Sequence, residues 1–429
     1  MIDRAPLPGG SLVVGRGRTW TLGLVLGLPL LFAAGIAVRL WMWPATGLVG
    51  DLDQFVLWVH GIAVNGWGRA YDQDLSFPAV MAWVWGALAA VEPAFRTVTD
   101  SSDPAIRALM KVPASIADLA IAGAVWWWFR DRPRLALLGV GAVLLWPATW
   151  YVSAWWGQYE AIYVLPAVLA LLAARAGRPG LVAALLAVSL MTKPQALPLI
   201  VPFAAWFLAT QGWRGTLRAA AIGALVAVAT WLPFLAAGGP LNYLHNLQTY
   251  QDEIFSVLSL NAWNPWWLVQ QLTAGGSFVS DGTQVLGPLT FRHLGFLLAG
   301  LLGIAVFAGI YRRPTADQLA LGLAAISLVA FVSLTTMHER YAYPAFVFLL
   351  LAMPRPVVTV TWVAFAVVFA LNLVVAVPPA GWVIPEARLI GILGAMAMTV
   401  IAVVTVATVA LASPDPESRT GASGLPYLF

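Results

Sequence analysis

Long apolar runs separated by short polar stretches dominate the chain. About 20 apolar residues in a helix span the roughly 30 Å of hydrocarbon in a bilayer, so runs near that length are candidate membrane spans. A further apolar run, Phe77 to Val91, stands apart from the others. The pattern predicts an all-α polytopic membrane protein with about 12 (11–13) spans, twelve of them at about 20–40, 105–129, 134–152, 160–175, 179–193, 196–211, 216–236, 291–311, 316–335, 341–354, 357–376 and 388–412.

Composition agrees with this pattern. Hydrophobic residues make up 61% of the chain and charged residues only 10%, whereas a soluble domain carries roughly 25% charged residues. The net charge of +4 comes from arginines in short loops between apolar runs, which is a topology signal rather than a sign of nucleic-acid binding. The chain has no cysteine, which excludes disulfides, thiolate metal sites and cysteine nucleophiles.

The loop arginines orient the predicted spans. Basic residues favour the cytoplasmic side, which would leave outside the loops at about 41–104, 153–159, 192–196, 237–290, 336–341 and 377–387. The alternation holds if Phe77–Val91 is re-entrant or interfacial rather than spanning. The alternative is thirteen spans with one misoriented basic loop. The outside loops carry most of the unusual polar residues, so we expect an extracytoplasmic site in an integral membrane protein.

Two carboxylates, Asp51 and Asp53, open an amphipathic segment directly after the first span. Carboxylates are stabilised at a helix N-terminus, so they are either ordinary helix-start residues or serve as a general base or a cation ligand. In the second span, Arg107, Lys111 and Asp118 share one helical stripe. Charges within a membrane normally face a cavity or a partner. Lys111 and Asp118 therefore either neutralise each other or contact a ligand.

Three further segments combine charge with span ends. Trp155-Trp156-Gly157-Gln158-Tyr159-Glu160 joins aromatic to polar side chains, which suits carbohydrate binding. The alternative is an aromatic belt at the membrane edge, which accounts for the tryptophan pair but not for Glu160. In Thr192-Lys193-Pro194-Gln195 a proline breaks the helix next to a lysine suited to an anion. In Thr335 to Pro344, His338, Glu339 and Arg340 are consecutive between apolar runs. An arginine or a protonated histidine there can hold phosphate oxygens; a self-paired turn is the alternative.

Five motifs, taken in their order along the chain, resemble those of the GT-C superfamily of membrane glycosyltransferases, which take sugars from polyprenyl-phosphate carriers. They extend over about 50–344, roughly two thirds of the chain. Bacterial mannosyltransferase-like proteins are the nearest look-alikes, and the dolichyl-phosphate-glucose-dependent glucosyltransferases of the endoplasmic reticulum are more distant ones. The likeness to the bacterial proteins implies a multi-pass protein of the bacterial plasma membrane. The motifs are Gly50-Asp51-Leu52-Asp53, the Phe77-Pro78 run, Trp156-Gly157-Gln158-Tyr159-Glu160, Thr192-Lys193-Pro194-Gln195 and Met337-His338-Glu339-Arg340-Tyr341.

The resemblance implies a GT-C fold with two large extracytoplasmic loops in one transmembrane domain, 1–429. A seven-span module at 1–236 would include the first loop, 41–104. The second loop at 237–290, variable spans at 291–412 and a cytoplasmic tail at 413–429 would follow. It implies Asp51 as the catalytic base, and substrate contacts at Asp53, Lys111, Gln158, Glu160, Lys193, Gln195, His338, Glu339, Arg340 and Tyr341.

The implied reaction is an inverting transfer of mannose or glucose from a polyprenyl-phosphate-linked donor to an extracytoplasmic hydroxyl. The acceptor is a lipid, a glycan or a protein. No cofactor is expected, although Asp51 and Asp53 together would suit a divalent metal. Two alternatives remain at this point: a lipid or solute transporter or flippase, which should show internal repeats that the sequence lacks, and a ligase that uses diphosphate-linked glycans.

Overall fold

The computed structural model describes residues 22–253 and 255–413, and helices dominate them. Proline at the first turn starts many of the helices, where its missing N–H costs no hydrogen bond. The α-helices are α1 (Leu22–Met42), α2 (Val49–Asn65), α3 (Ala79–Val91), α4 (Pro104–Trp128), α5 (Pro133–Leu145), α6 (Pro147–Trp150), α7 (Glu160–Arg175), α8 (Pro179–Leu190), α9 (Ile200–Trp231), α10 (Gly239–Glu253), α11 (Pro265–Thr273), α12 (Phe291–Arg312), α13 (Ala316–Ser333), α14 (Tyr343–Leu351), α15 (Pro356–Ala376) and α16 (Ala387–Ala410).

Seven helical stretches in the described part of the chain are long and apolar enough to cross a membrane. This confirms the prediction of an all-α polytopic membrane protein. The seven stretches are Pro104–Trp128, Pro133–Trp156, Pro194–Ala237, Phe291–Arg312, Ala316–Ser333, Pro356–Ala376 and Ala387–Ala410. Each of the twelve predicted spans falls largely on helix, but the count of twelve crossings stays a prediction. The predicted tail beyond residue 413 lies outside the described residues. So do Arg16 and Arg18, two of the basic residues that orient the first predicted span.

Helix α9 is two helices joined at Gly212. This glycine has φ 63° and ψ −177°, a backbone conformation that is almost restricted to glycine. Ile200 and Ala227 line the same cavity, although a continuous helix rising 1.5 Å per residue would hold them about 40 Å apart. The two halves therefore fold back on each other, as the separate predicted spans at 196–211 and 216–236 require.

The two large predicted loops are themselves folded. The first contains α2 and α3. Since α3 has 13 residues, it rises only about 20 Å, less than the roughly 30 Å of a hydrocarbon core. The second contains α10, α11 and the strands β1 (Ser259–Leu260), β2 (Gln284–Leu286) and β3 (Leu289–Thr290). Strand β1 pairs in parallel with β4 (Met337–His338), so the second loop is fixed to the polar segment before α14.

The basic helix ends lie together at one end of the bundle. Arg175 donates to the backbone oxygen of Trp128, and the indole of Trp128 donates to that of Leu351. Arg355 donates to Gln318. These hydrogen bonds join the ends of α4, α7, α14, α15 and α13. The polar residues of the predicted site lie at the opposite end of α7, which carries Glu160 on its first residue.

Candidate functional site

Asp51 lies in the first turn of α2 and contacts the segment after α6. Its Oδ2 atom accepts hydrogen bonds from Trp156 Nε1 at 3.0 Å and Gln158 Nε2 at 2.5 Å. The segment Tyr151–Trp156 is a π-helix, a form often found at functional sites. Gly157 ends it with φ 91°, which a side chain would oppose. This turn brings both donors to one carboxylate oxygen.

Lys111 holds that turn in place. Its Nζ atom donates to the backbone oxygens of Trp155 at 2.7 Å and Ala45 at 2.5 Å. Ala45 belongs to the linker between α1 and α2, and Trp155 belongs to the π-helical turn. Lys111 thus ties the segment that carries Asp51 to the one that carries Trp156, and it is fully buried. Lys111 therefore supports the site through its backbone contacts and does not line the pocket.

A buried charge cluster adjoins Asp51. Glu160 Oε1 lies 2.5 Å from Lys193 Nζ and 3.4 Å from Arg340 Nε. The second ion pair lacks hydrogen-bond geometry at Nε. Glu160 is fully buried, and Lys193 and Arg340 are 3% and 9% exposed. Burying charges is unfavourable unless they are paired, so one carboxylate holds both cations at the start of α7.

Glu339 and His338 complete the cluster around Arg340. Arg340 donates through one terminal nitrogen to Glu339 Oε1 and to His338 Nδ1, each at 3.2 Å. Because arginine only donates, His338 Nδ1 accepts, and the ring proton sits on Nε2. Burial, Arg340 and Lys193 lower the pKa of His338 well below its usual value. This favours a neutral imidazole, so phosphate binding by a protonated His338 stays a prediction that the structure does not favour.

Burial also affects the neighbouring acid. It raises the pKa of Glu339, and the charge of Arg340 opposes that rise. Glu339 is 2% exposed. Its side chain pairs with Arg340, so it balances charge within the cluster. The cluster thus holds two cations, Lys193 and Arg340, and two carboxylates, Glu160 and Glu339. Asp51 adds a third carboxylate at its edge.

A polar pocket of about 150 Å³ opens at this cluster. Aromatic rings surround its polar groups: Lys193 Nζ lies 5.6 Å from the ring centre of Phe77, and the Arg340 guanidinium lies 5.0 Å from that of Trp156. Such contacts favour a cation. The predicted residues that line the pocket are Asp51, Gln158, Lys193, Gln195, Arg340 and Tyr341.

A larger apolar cavity of about 510 Å³ adjoins the polar pocket. It lies between the second large loop and the helix ends, with Leu244 and Leu247 of α10 on one side and Phe331 of α13 on another. The two cavities share the wall residues Pro194, Gln195, Leu247, Phe255 and Tyr341. A polar pocket and an apolar cavity are therefore adjacent, which suits an amphiphilic ligand with a charged head and an apolar tail.

Other predicted residues lie away from the pocket. Asp53 accepts hydrogen bonds from the backbone N–H and the hydroxyl of Ser101, which fixes the end of the first loop. Lys111 contacts backbone oxygens, as described above. Glu160 lies beneath Lys193 and Arg340 and does not line the pocket. Substrate contacts at Asp53, Lys111 and Glu160 thus stay predictions that the observed hydrogen bonds do not favour.

The partner of Asp118 is not Lys111. Asp118 Oδ2 accepts from Arg39 at 2.8 Å and from Ser153, and its Oδ1 accepts from Tyr343 at 2.6 Å. The expected neutralisation by Lys111 is wrong, because Lys111 is engaged by backbone oxygens. Sequence reasoning missed Arg39 as the partner, although a lone arginine within an apolar run was the available signal. This cluster links the segments that carry Trp156 and Arg340.

The arrangement places a carboxylate and two cations in the lining of a polar pocket that adjoins an apolar cavity. A carboxylate so placed can accept a proton, and cations so placed can stabilise an anion. Among residues 22–253 and 255–413, three or more His, Asp or Glu side chains do not gather at a point that could hold a metal ion. No protein-family model and no curated protein sequence matches this chain.

Proposed function

We propose that the chain is a GT-C glycosyltransferase with about twelve spans and two large extracytoplasmic loops. It transfers a hexose, mannose or glucose, from a polyprenyl phosphate to an extracytoplasmic hydroxyl. One observation carries the proposal: Asp51, Lys193 and Arg340 line a polar pocket that shares a wall with a larger apolar cavity. A base, an anion site and a lipid channel are the three parts that this reaction needs.

The apolar cavity suits the isoprenoid chain of the donor. Its lining by leucine, phenylalanine and proline side chains is predominantly apolar, and Gln195 and Tyr341 lie at the junction with the polar pocket. A phosphate at this junction would lie near Lys193 and Arg340 while the hydrocarbon stays out of water. Burial of apolar surface supplies about 25 cal/mol per Å², so the channel contributes to affinity while the cations set orientation.

Asp51 acts as the general base in the proposed mechanism. It takes the proton of the acceptor hydroxyl while that oxygen forms a bond to the anomeric carbon. The bond from the anomeric carbon to the phosphate oxygen breaks, and its electron pair stays on the phosphate. One displacement inverts the anomeric configuration. Trp156 and Gln158 donate to Asp51 Oδ2 and thereby fix the orientation of the carboxylate.

Lys193 and Arg340 stabilise the charge that develops on the leaving phosphate. Charge-assisted hydrogen bonds from preorganised donors in a water-poor site are among the larger contributions to catalysis. His338 lines neither cavity, and in this mechanism it orients the Arg340 guanidinium by accepting its hydrogen bond at Nδ1. Glu160 acts from behind: its carboxylate positions both cations, so it is a positioning residue in this mechanism and not a contact to the sugar.

Asp51→Asn tests the proposal. Loss of a general base costs about 10²–10⁴ in rate, while the amide keeps the size of the side chain and the fold. The measurement is sugar transfer by purified protein from polyprenyl-phosphate mannose and polyprenyl-phosphate glucose, with and without a chelator, and with a membrane extract as acceptor. Asp72→Asn is the matched control, since Asp72 is an exposed aspartate of the same loop, and it should keep full activity.

Three outcomes would contradict the proposal. Transfer that survives Asp51→Asn would remove Asp51 as the base. If neither donor supports sugar transfer and the protein transports a lipid or solute in reconstituted vesicles, the result would favour a transporter. Transfer from a diphosphate-linked glycan alone would favour a ligase.

A further inference from the structure

A second polar cleft lies at the opposite end of the bundle from the candidate site. It has a volume of about 160 Å³ and is lined by Trp127, Arg130, Leu172, Arg175 and Ala176. Helix α7 carries Glu160 at its first residue and Arg175 at its last. Fifteen residue steps of 1.5 Å separate these ends by about 22 Å, so the cleft is distinct from the pocket at Asp51.

Two guanidinium groups are preorganised in this cleft. The Arg130 guanidinium lies 4.4 Å from the ring centre of Trp127, and that of Arg175 lies 4.6 Å from the ring centre of Trp128. Arg175 also donates to the backbone oxygen of Trp128 at 2.7 Å. A guanidinium carries five N–H donors, so this bond leaves Arg175 with donors for a further acceptor. Stacking fixes both side chains and lowers the entropy lost on binding an anion.

The charge around the cleft favours an anion. The two adjoining loops contribute Arg130, Asp131, Arg132, Arg134, Arg175 and Arg178, which is five arginines against one aspartate. A water molecule takes about 30 Å³ of liquid volume, so the cleft holds several waters or one tetrahedral phosphate group. Two arginines that converge on a volume of this size are typical of phosphate recognition.

Apolar surface next to the cleft indicates which phosphate it takes. Trp127 is 58% exposed, and Leu169, which is 37% exposed, lies one turn before Leu172 on the same face of α7. An exposed tryptophan beside arginines is typical of the headgroup region of a bilayer. Basic clefts between membrane helices bind anionic lipid headgroups. We propose that this cleft binds the phosphate of an anionic phospholipid, whose acyl chains lie along Trp127 and Leu169.

Lipid titration of the purified full-length protein in detergent, followed by native mass spectrometry, tests this proposal. Phosphatidylglycerol should bind and stabilise the protein, whereas phosphatidylcholine should bind at least tenfold more weakly. Arg130→Gln with Arg175→Gln should weaken phosphatidylglycerol binding on the order of 30-fold, since each arginine near a membrane surface contributes about 1 kcal/mol. Inorganic phosphate serves as the competitor that separates a lipid from a free anion.

Arg132→Gln with Arg134→Gln is the matched control. It removes two charges from the same basic loop without touching the lining of the cleft, so binding should change little. Equal losses in both double variants would reduce the effect to general surface charge and overturn the proposal. Displacement of the lipid by inorganic phosphate at similar concentration would overturn the lipid assignment. Arg130→Gln alone keeps the bond from Arg175 to Trp128 and provides the test if the double variant does not fold.

Discussion

A single buried carboxylate, Glu160, holds the cations of the candidate site together. Its sequence context next to Gln158 suggests a sugar contact, but its side chain is fully buried and paired with Lys193 and Arg340. Breaking a buried pair leaves an uncompensated charge, which costs more than the pair itself contributes. Glu160 is therefore a supporting residue, because it lies deeper than the residues that line the pocket. No local pattern in the sequence indicates that depth.

Glu160→Gln should lower the free energy of unfolding by about 3 kcal/mol, because Lys193 and Arg340 lose their shared counter-charge. Thermal unfolding in detergent measures the loss. Adding Lys193→Met should recover part of it, since an apolar side chain no longer needs a buried partner. Glu386→Gln, at an exposed glutamate, is the control and should be neutral. If Glu160→Gln left the free energy of unfolding unchanged, the ion pairs would contribute nothing to stability.

His338 should make stability depend on pH. Its pKa is lowered in the folded protein from the usual 6.5, so below this pH the unfolded chain binds a proton that the folded protein excludes. Stability therefore falls as pH decreases from about 6.5, by up to about 1.4 kcal/mol per pH unit. At higher pH the ring is neutral in both states and the contribution is constant.

The measurement is the unfolding temperature of the protein and of His338→Gln between about pH 5 and pH 8. The variant should lose less stability on acidification. His245→Gln, at an exposed histidine of α10, should follow the unmodified protein. Parallel curves for the protein and His338→Gln would show that the imidazole does not exclude its proton on folding.

Helices were the part of this structure that the sequence predicts best. Apolar runs and loop arginines locate helices such as α12, Phe291–Arg312, to within a residue of the expected 291–311. The π-helical turn at Tyr151–Trp156 and the pairing of β1 with β4 were not predictable. Both depend on contacts between distant segments, such as that of Lys111 with Trp155. The sequence identifies the charged and polar residues of the candidate site by their residue type. Only the fold shows which of them line the pocket and which support it.

Gly212→Ala tests the hairpin within α9. Space is not the obstacle, since an added Cβ atom would meet nothing within 4 Å. The backbone conformation itself is unfavourable for alanine, and we expect a loss of about 1–3 kcal/mol. Thermal unfolding in detergent is the measurement. Gly223→Ala is the control, because Gly223 lies in the helical second half with an ordinary contact at 3.6 Å, and it should be neutral or slightly stabilising. Equal effects would argue against a special backbone at Gly212.

Sidedness is a property of the entire chain, and its prediction rests on the arginines at one end of the bundle. The hydrogen bonds of Arg175 and Arg355 place those ends together, while Asp51 and Arg340 meet at the other. A bilayer orientation follows only if the basic end faces the cytoplasm. The remaining question is whether α3 crosses, since that would reverse every later span.

Single cysteines can answer this question, because the chain contains none. With twelve spans, Asp72→Cys and Asp100→Cys should both react with a membrane-impermeant maleimide added outside intact cells, and Arg132→Cys should not. All three positions are exposed. Reaction at Asp72→Cys but not at Asp100→Cys, together with reaction at Arg132→Cys, would mean that α3 crosses and that thirteen spans are correct.

The pairing of β1 with β4 has a consequence for biosynthesis. Ser259 of β1 pairs with Met337 of β4, and the segment from Met337 to Tyr341 carries Arg340. During synthesis, Asp51, Glu160 and Lys193 leave the ribosome long before this partner exists, and domains fold from the N-terminus onward. In a chain released before β4 is made, Glu160 keeps Lys193 but lacks Arg340, and the second loop lacks its anchor in β4. We expect such a fragment to present an incomplete site and to be more accessible to proteases than the complete chain.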